Sequence, residues 1–211
     1  MSTKNTHTIG IDARLSGEKH AGIGRYSENL IKRLIKLSLE EPKKKINFVL
    51  FFFDAQQAKE VLGQYYEASN IKIVITGIKH YGFAEQFCLP KIYQQAKLDL
   101  LYVPHWNVPI FYRGKLAITI HDLLWHEQKG AGATTLRSWQ YYFKYLAYRY
   151  ISRKIAKKAQ VIFVPAETIK KTVSNYYPFT KNKIVVSKEG LANAYEFVLK
   201  TNSPVNHRIK K

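Results

Sequence analysis

The apolar positions of this chain fall into seven short runs that are separated by segments of different character. The clearest run, residues 48–53, is continuous and does not alternate with polar residues, which is typical of a strand buried on both faces. Strands of this kind occur in parallel sheets that are covered by helices. The predicted strands are residues 7–12, 46–53, 71–76, 99–103, 116–121, 160–164 and 183–187.

The segments between these runs carry apolar residues at helical spacing. The strongest stripe lies in the first such segment and consists of Tyr26, Leu30, Ile31, Leu34 and Ile35. Weaker helical patterns cover residues 55–67, 85–96 and 168–176. The alternation of strand and helix predicts an α/β fold, a Rossmann-like parallel sheet of about seven strands with helices on both faces.

The longest helical pattern covers residues 135–159. Its predicted buried stripe runs from Leu136 through Leu146 and Ala147 to Tyr150, where the buried face must change because later lysines would fall on it. The segment has no acidic residue and mixes aromatic rings with the cations Arg137, Lys144, Arg149, Arg153, Lys154, Lys157 and Lys158. This mixture suits an anionic membrane surface or nucleic acid. A core-facing helix with a solvated basic back is the third interpretation.

The composition adds a large positive charge to this picture. Among 211 residues, 34 lysines and arginines outnumber 15 acidic residues, so that the net charge is +19. This excess indicates an anionic partner, which is nucleic acid, an anionic membrane surface or a negatively charged substrate such as a nucleotide-activated compound. A solvated basic surface is the alternative.

The single cysteine, Cys88, excludes a disulfide within the chain and a cysteine-cluster zinc site. The polar N-terminus fits no cleavable signal, and no apolar run approaches the length of a membrane-spanning helix. We therefore expect a cytoplasmic protein, either free or bound peripherally to the inner face of a membrane.

Candidate chemistry lies where the predicted strands end, because open parallel sheets bind ligands outside the carboxyl ends of their strands. The first strand ends at Asp12, and the chain then reaches Gly22 and Gly24 at the start of the first helix. Such glycines allow a phosphate to approach the backbone, and a helix N-terminus favours anions. A tight turn that requires glycine is an equal alternative, since neither the dinucleotide fingerprint nor a P-loop is complete.

Two further strand ends carry histidine. The fourth strand is followed by residues 104–109, in which His105 and Asn107 lie between two prolines; a stiff turn with satisfied polar groups is the alternative. The fifth strand ends at His121, whose imidazole suits proton transfer or a hydrogen bond to a sugar hydroxyl or phosphate, or else only caps the strand. The histidines lack the spacing of a metal-ligand set, and no Gly-x-Ser-x-Gly motif is present.

Taken in order, these blocks resemble the N-terminal domain of the family 4 glycosyltransferases, enzymes of the GT-B fold. The resemblance covers about residues 8–190, and the set of blocks is specific where each block alone is not. The matching blocks are residues 9–14 with 22–26, 85–90, 99–109, 119–123, 161–164, and 183–186 with Glu189 and Gly190.

The resemblance implies a retaining transferase that moves a sugar from a nucleotide-sugar to an acceptor glycan or lipid, with no metal or other cofactor. It implies that Gly22 and Gly24 approach the phosphates or the sugar of the donor, and that His121 is the catalytic candidate that contacts the sugar. The residues that it places on the acceptor side are Tyr26, His105 and Asn107.

The chain also departs from the family pattern. Residues 164–167 replace a serine-rich turn, and no segment matches the donor-binding second domain. We therefore expect residues 1–190 to form the acceptor-side half of a GT-B enzyme, inactive unless a separate chain supplies the donor domain, and residues 191–211 to start a linker or form a disordered tail. A stand-alone binding module for anionic lipid or glycan is the alternative, and a nucleic-acid binder is the weakest one because no recognition motif is present.

Overall fold

The computed structural model describes residues 6–41, 43, 45–123 and 138–188, and for residues 138–141, 143 and 144 it describes only the backbone. Several predictions lie outside the described residues. They concern Leu136, Arg137, Glu189, Gly190, the side chain of Lys144 and the whole of residues 191–211.

Seven strands form one sheet in which every neighbouring pair is parallel. The order across the sheet is β3-β2-β1-β4-β5-β6-β7. All seven predicted strands are confirmed, with each end within two residues of its predicted position. The strands are β1 His7–Asp12, β2 Ile46–Phe52, β3 Ile71–Ile75, β4 Leu100–Val103, β5 Leu116–Thr119, β6 Val161–Val164 and β7 Ile184–Val186.

Within the described residues, the α-helices are α1 Ala21–Glu40, α2 Ala55–Leu62, α3 Phe83–Phe87, α4 Leu89–Gln95, α5 Ser138–Lys158 and α6 Glu167–Tyr176. The start of α2 is capped by Asp54, whose carboxylate accepts a hydrogen bond of 2.7 Å from the backbone N–H of Gln57. The helix predicted over residues 85–96 is instead divided into α3 and α4. Pro90 lies in the first turn of α4, a position that suits proline because the missing N–H has no partner there.

The helices cover both faces of the sheet, as the sequence pattern predicts. On one face, Ile31 and Ile35 of α1 pack with side chains of α2 and with Ile11 and Leu50 of the sheet. The opposite face packs against α4, α5 and α6. Together these layers bury the long apolar strands on both sides, which accounts for their continuous hydrophobic character.

The buried face of α5 differs from the predicted stripe. Ser152, Ile155 and Ala156 are buried, whereas Leu146 is 45% and Tyr150 55% exposed. The assignment of Leu146, Ala147 and Tyr150 to the core is wrong, since all three are exposed, and the change of buried face near Tyr150 stays a prediction. The reason is that the buried side chains described in α5 all lie in its second half, where the helix packs on the sheet.

An apolar groove of about 480 Å³ runs between α1 and the adjacent strands. Its lining includes Leu30 and Leu34 from α1 and Tyr102, Val161 and Phe163 from β4 and β6. The groove shows that α1 covers β1 and β2 more fully than it covers β4 to β6.

Candidate functional site at the carboxyl edge of the sheet

The direction of strand order reverses between β1 and β4. From β1 the chain proceeds outward to β2 and β3 on one side, and later from β4 to β7 on the other. Loops that follow strands on either side of such a switch point diverge and leave a crevice in which α/β proteins bind ligands. The predicted site residues come from the segments after β1, β4 and β5, and they therefore surround this crevice.

Tyr26 and His121 meet at this edge. Their rings are in edge-to-face contact with centroids 4.7 Å apart, although one belongs to α1 and the other follows β5. The Nε2 atom of His121 lies 3.1 Å from the carbonyl oxygen of Pro104, so that the ring donates from this nitrogen. The contact orients the imidazole between the loop after β4 and the second turn of α1.

A chain of hydroxyl groups continues from Tyr26 into the sheet. Its phenol oxygen lies 3.3 Å from that of Tyr102, which in turn lies 2.6 Å from the Thr119 hydroxyl. Burial raises the pKa of Tyr102 well above its ordinary value, with the neighbouring Tyr26 as a further cause, so the phenol stays protonated. The arrangement is neutral and hydrogen-bonded throughout.

His105 and Asn107 lie close together in the loop after β4. The Nδ1 atom of His105 accepts a 3.1 Å hydrogen bond from the backbone N–H of Asn107, and the Asn107 side chain donates a 2.7 Å hydrogen bond to Glu85. Burial, followed by the neighbouring His121, lowers the pKa of His105 to about 4. His105 is therefore a neutral hydrogen-bonding group at physiological pH and not a proton donor.

The two glycines at the start of α1 have different surroundings. A Cβ atom at Gly24 would lie 1.9 Å from the carbonyl oxygen of Gly17, whereas one at Gly22 would meet nothing within 4 Å. The absence of a side chain at Gly24 thus allows the loop before α1 to pack against the helix. The backbone N–H of Gly17 donates a 3.1 Å hydrogen bond to the carbonyl oxygen of Gly24. Gly22 lies in open space, where a ligand has access to the backbone. The predicted donor contacts of both glycines stay predictions.

A buried ion cluster lies beside these residues, and the sequence did not predict it. Arg14 is fully buried and donates to both carboxylate oxygens of Asp12, from Nε over 2.9 Å and from Nη2 over 2.7 Å. The same Nη2 lies 2.8 Å from Oε1 of Glu85, which is also fully buried. Tyr93 completes the cluster by donating a 2.8 Å hydrogen bond to Asp12. Two carboxylates thus share one guanidinium.

The charges of this cluster stabilise one another. Burial alone would raise the pKa of Asp12, but the adjacent Arg14 charge and its hydrogen bonds outweigh burial and lower that pKa. The pKa of Arg14 is raised in turn, because Asp12 and Glu85 overcome the cost of burial. In the sequence, Asp12 and Arg14 stand at the end of a predicted strand, and Glu85 stands in the block at 85–90. The hydrogen bond between Arg14 and Glu85 joins residues 71 positions apart, and no local pattern predicts such a contact.

Two further histidines lie at this edge. His80 Nε2 lies 3.1 Å from the backbone carbonyl oxygen of Arg14, and the ring makes an edge-to-face contact with His20 at 5.6 Å. Burial lowers the pKa of both rings, aided by Arg14 at His80 and by Lys19 at His20. Neither histidine was a candidate from the sequence, because neither ends a predicted strand.

The basic side chains of α5 point in more than one direction. Arg149 lies near the rings of Tyr145 and Tyr176, and Arg153 lies near Phe179. Lys154, Lys157 and Lys158 border a shallow cavity of about 270 Å³ beside Ile110. The Nζ atoms of Lys154 and Lys158 also lie near aromatic rings, 4.7 Å from the Tyr150 centroid and 5.3 Å from the Tyr112 centroid. The cations of α5 therefore have two kinds of surroundings, because the two arginines lie near rings that follow β6 and the three lysines border the cavity.

Within the described ranges, no group of three or more histidine, cysteine or carboxylate side chains is arranged to hold a metal ion. None of the helices in this part of the chain is long and apolar enough to cross a membrane.

Comparison with known proteins supports the fold. The strand order, the crossover helices and the crevice define a Rossmann-like α/β domain with a parallel sheet. Among solved structures, the fold is similar to that of Alr3699/HepE from Anabaena, determined in complex with UDP and glucose, with a TM-score of 0.52 and 14% sequence identity. The alignment covers 93% of this chain and 50% of that protein, so the chain spans half its length. No family model and no curated protein matches the sequence.

Proposed function

We propose that this chain is the acceptor-side domain of a retaining glycosyltransferase, similar to the N-terminal domain of family 4. The enzyme would transfer a sugar from a nucleotide-sugar to a hydroxyl of a glycan or lipid, without a metal ion. A donor-binding domain, within the same protein or in a separate chain, would complete the crevice. The likeness to a protein solved with UDP and glucose supports the choice of a nucleotide-sugar donor.

The observation that carries this proposal is the contact between Tyr26 and His121 at the switch point. It brings an imidazole beside the segment that begins with the exposed Gly22, where the N-cap His20 makes no side-chain hydrogen bond to the first turn of α1. The N–H groups of that turn suit a phosphate, and the His121 ring suits a sugar hydroxyl. His105 and Asn107 would line the acceptor side from the loop after β4.

The test uses the tagged chain, which is purified from its natural host together with any protein chains that stay bound to it. Label transfer from radioactive UDP-glucose, UDP-N-acetylglucosamine and GDP-mannose into lipid and glycan fractions is measured. We expect transfer from one donor, and a loss of about 100-fold in His121→Ala, the lower end of the range for a catalytic side chain. The matched control is His7→Ala, because His7 is exposed at the opposite end of β1.

Three results would contradict the proposal. Transfer that is equal in His121→Ala and in the wild type would remove His121 from the site, and absence of transfer from every donor would remove the transferase assignment. Rapid turnover by the isolated chain would contradict the need for a donor domain. Retention of α-configuration in the product, determined by NMR, tests the stereochemistry separately.

A further inference from the structure

Four large aromatic side chains are exposed close to one another, and the candidate site does not use them. Tyr81 is 74%, Phe83 88%, Phe87 57% and Phe111 49% exposed. Phe83 and Phe87 lie four residues apart in α3 and therefore on the same side of that helix. Phe87 stacks on Phe111 with centroids 5.0 Å apart. These four residues are called the aromatic surface below.

The aromatic surface is held in place from inside the protein. Glu85, fully buried between Phe83 and Phe87, accepts hydrogen bonds from Arg14 and Asn107 and a third, of 2.7 Å, from the backbone N–H of Tyr81. Tyr81 has a φ of 60°, a left-handed conformation that is uncommon for a residue other than glycine. The exposure of these rings is therefore a property of an anchored segment.

A group of cations borders the aromatic surface. Ile110, next to Phe111, lines the 270 Å³ cavity together with Lys154, Lys157 and Lys158. Arg113 is near enough to Lys158 to lower the pKa of that lysine further, beyond the effect of burial. These four cations, Arg113, Lys154, Lys157 and Lys158, are called the basic rim.

The part of the chain that carries the basic rim has a large excess of positive charge. Residues 100–211 contain 19 lysines and arginines and five acidic residues, against 15 and ten in residues 1–99. In the described parts of the second half, Asp122 and Glu167 are the only acidic residues, and Glu167 pairs with Lys170 at 3.8 Å. The rim is therefore complementary to an anionic surface.

We propose that the aromatic surface and the basic rim together dock this chain on an anionic lipid bilayer. Exposed phenylalanine rings insert at the headgroup boundary, while lysines and arginines contact lipid phosphates and carry a large share of the attraction to anionic lipid. The lysines at the border of the cavity supply the positive charge that a phosphate headgroup requires. Nucleic acid fits less well, because Phe87 and Phe111 stack on each other and so offer fewer free ring faces to bases.

This proposal is independent of the transferase assignment, since bilayer binding is measured without turnover. Cys88 gives a direct probe, because it is the single cysteine of the chain, is exposed and follows Phe87. The full chain labelled at Cys88 with an environment-sensitive fluorophore is mixed with vesicles of phosphatidylcholine, with or without phosphatidylglycerol. We expect a blue shift only with phosphatidylglycerol, and quenching by spin-labelled lipid. The control carries the label on α1, in Cys88→Ser/Leu39→Cys, and shows neither effect.

Two double variants separate the contributions in a sedimentation assay with the same vesicles. Phe83→Ser/Phe87→Ser should weaken binding by about tenfold for each ring, the effect of partly burying a phenylalanine. Lys154→Glu/Lys157→Glu should weaken it by at least about fivefold for each lysine. The matched controls are Leu37→Ser/Leu39→Ser and Lys36→Glu/Lys72→Glu, which alter exposed residues away from the aromatic surface and should bind as the wild type does.

Three outcomes would overturn the proposal. One is the absence of binding to anionic vesicles at low salt. Another is a loss in the charge control Lys36→Glu/Lys72→Glu as large as that in Lys154→Glu/Lys157→Glu, which would assign binding to net charge alone. The third is retention of the labelled chain on DNA, with an unchanged Cys88 signal on vesicles, which would assign the surface to nucleic acid. Circular dichroism of each variant confirms that the fold is intact.

Discussion

Two clusters lie at the same edge of the sheet and differ in almost every physical respect. The ion cluster of Asp12, Arg14 and Glu85 is charged, buried and joined by hydrogen bonds of 2.7–2.9 Å. The cluster of Tyr26 and His121 is partly exposed, and its ring contact and its hydrogen bonds to neutral groups leave the edge accessible.

This difference distinguishes residues that hold the loops of the site in place from residues that would contact a ligand. Buried charges are costly unless every partner is present, so the ion cluster tolerates little change and fixes the loops after β1 and β4. Tyr26 and His121 are partly exposed, so we expect their cluster to tolerate substitution better than the ion cluster does. Polar residues at a switch point are therefore not equivalent candidates, and burial distinguishes those that hold the site from those that would act in it.

The largest effect should come from removing the cation of the ion cluster. Arg14→Met leaves Asp12 and Glu85 buried without their shared partner, and we expect a loss of about 3–5 kcal/mol in the free energy of unfolding, measured by urea denaturation. Arg25→Met, which changes an exposed arginine on α1, is the control and should cost less than about 0.5 kcal/mol. A loss below about 1 kcal/mol in Arg14→Met would end the distinction between the two clusters.

The next effect is a pH dependence from His105. Its pKa is about 4 in the folded protein against an ordinary value of 6.5, so between these values the unfolded chain binds more protons. The contribution of His105 to the free energy of unfolding should therefore be complete above pH 6.5 and should fall by about 3 kcal/mol as the pH drops to 4. Asp12, whose pKa is also lowered, adds to this loss at more acidic pH.

The control for this pH dependence is His105→Asn. The asparagine oxygen can replace Nδ1 as acceptor for the N–H of Asn107, but the side chain does not titrate. Thermal unfolding from pH 7 to pH 4 should then show a shallower loss than the wild type shows. An unchanged slope would mean that another group, and not His105, carries the pH dependence.

The smallest effect compares two buried tyrosines, one from each cluster. Tyr93 donates to the charged Asp12, whereas Tyr102 hydrogen-bonds to the neutral hydroxyl groups of Thr119 and Tyr26. Hydrogen bonds to charged groups contribute more, so Tyr93→Phe should cost about 2 kcal/mol and Tyr102→Phe about 1 kcal/mol in urea denaturation. The opposite order would show that the two clusters do not differ in the way their geometry indicates.

The strands could be predicted because each one is specified locally. The continuous run at 48–53 is apolar enough to favour a strand buried on both faces, and all seven predicted runs form strands of the sheet. The buried face of α5 could not be predicted in the same way. A helix with apolar and aromatic residues on several sides, such as Leu146 and Tyr150, packs wherever the sheet reaches it, and the sheet reaches only its second half.

The candidate site, too, was predictable in part. Its location was predictable, because strand ends and switch points follow from the order of elements, and Tyr26 and His121 do come into contact. The neutral state of His105 could not be predicted, because its lowered pKa depends on burial and on the neighbouring His121. His20 and His80 had no signal in the sequence, since their positions follow from the packing of loops.

The sequence by itself determined the parallel sheet, its seven strands and the edge at which polar residues gather, because hydrophobic burial acts on local patterns. The tertiary structure decided which of those residues are buried. It paired Arg14 with a glutamate 71 positions away and placed Phe83 and Phe87 in solvent on either side of that glutamate. Charge pairing and solvent exposure depend on distances between segments that lie far apart in the chain, and no local pattern specifies such distances.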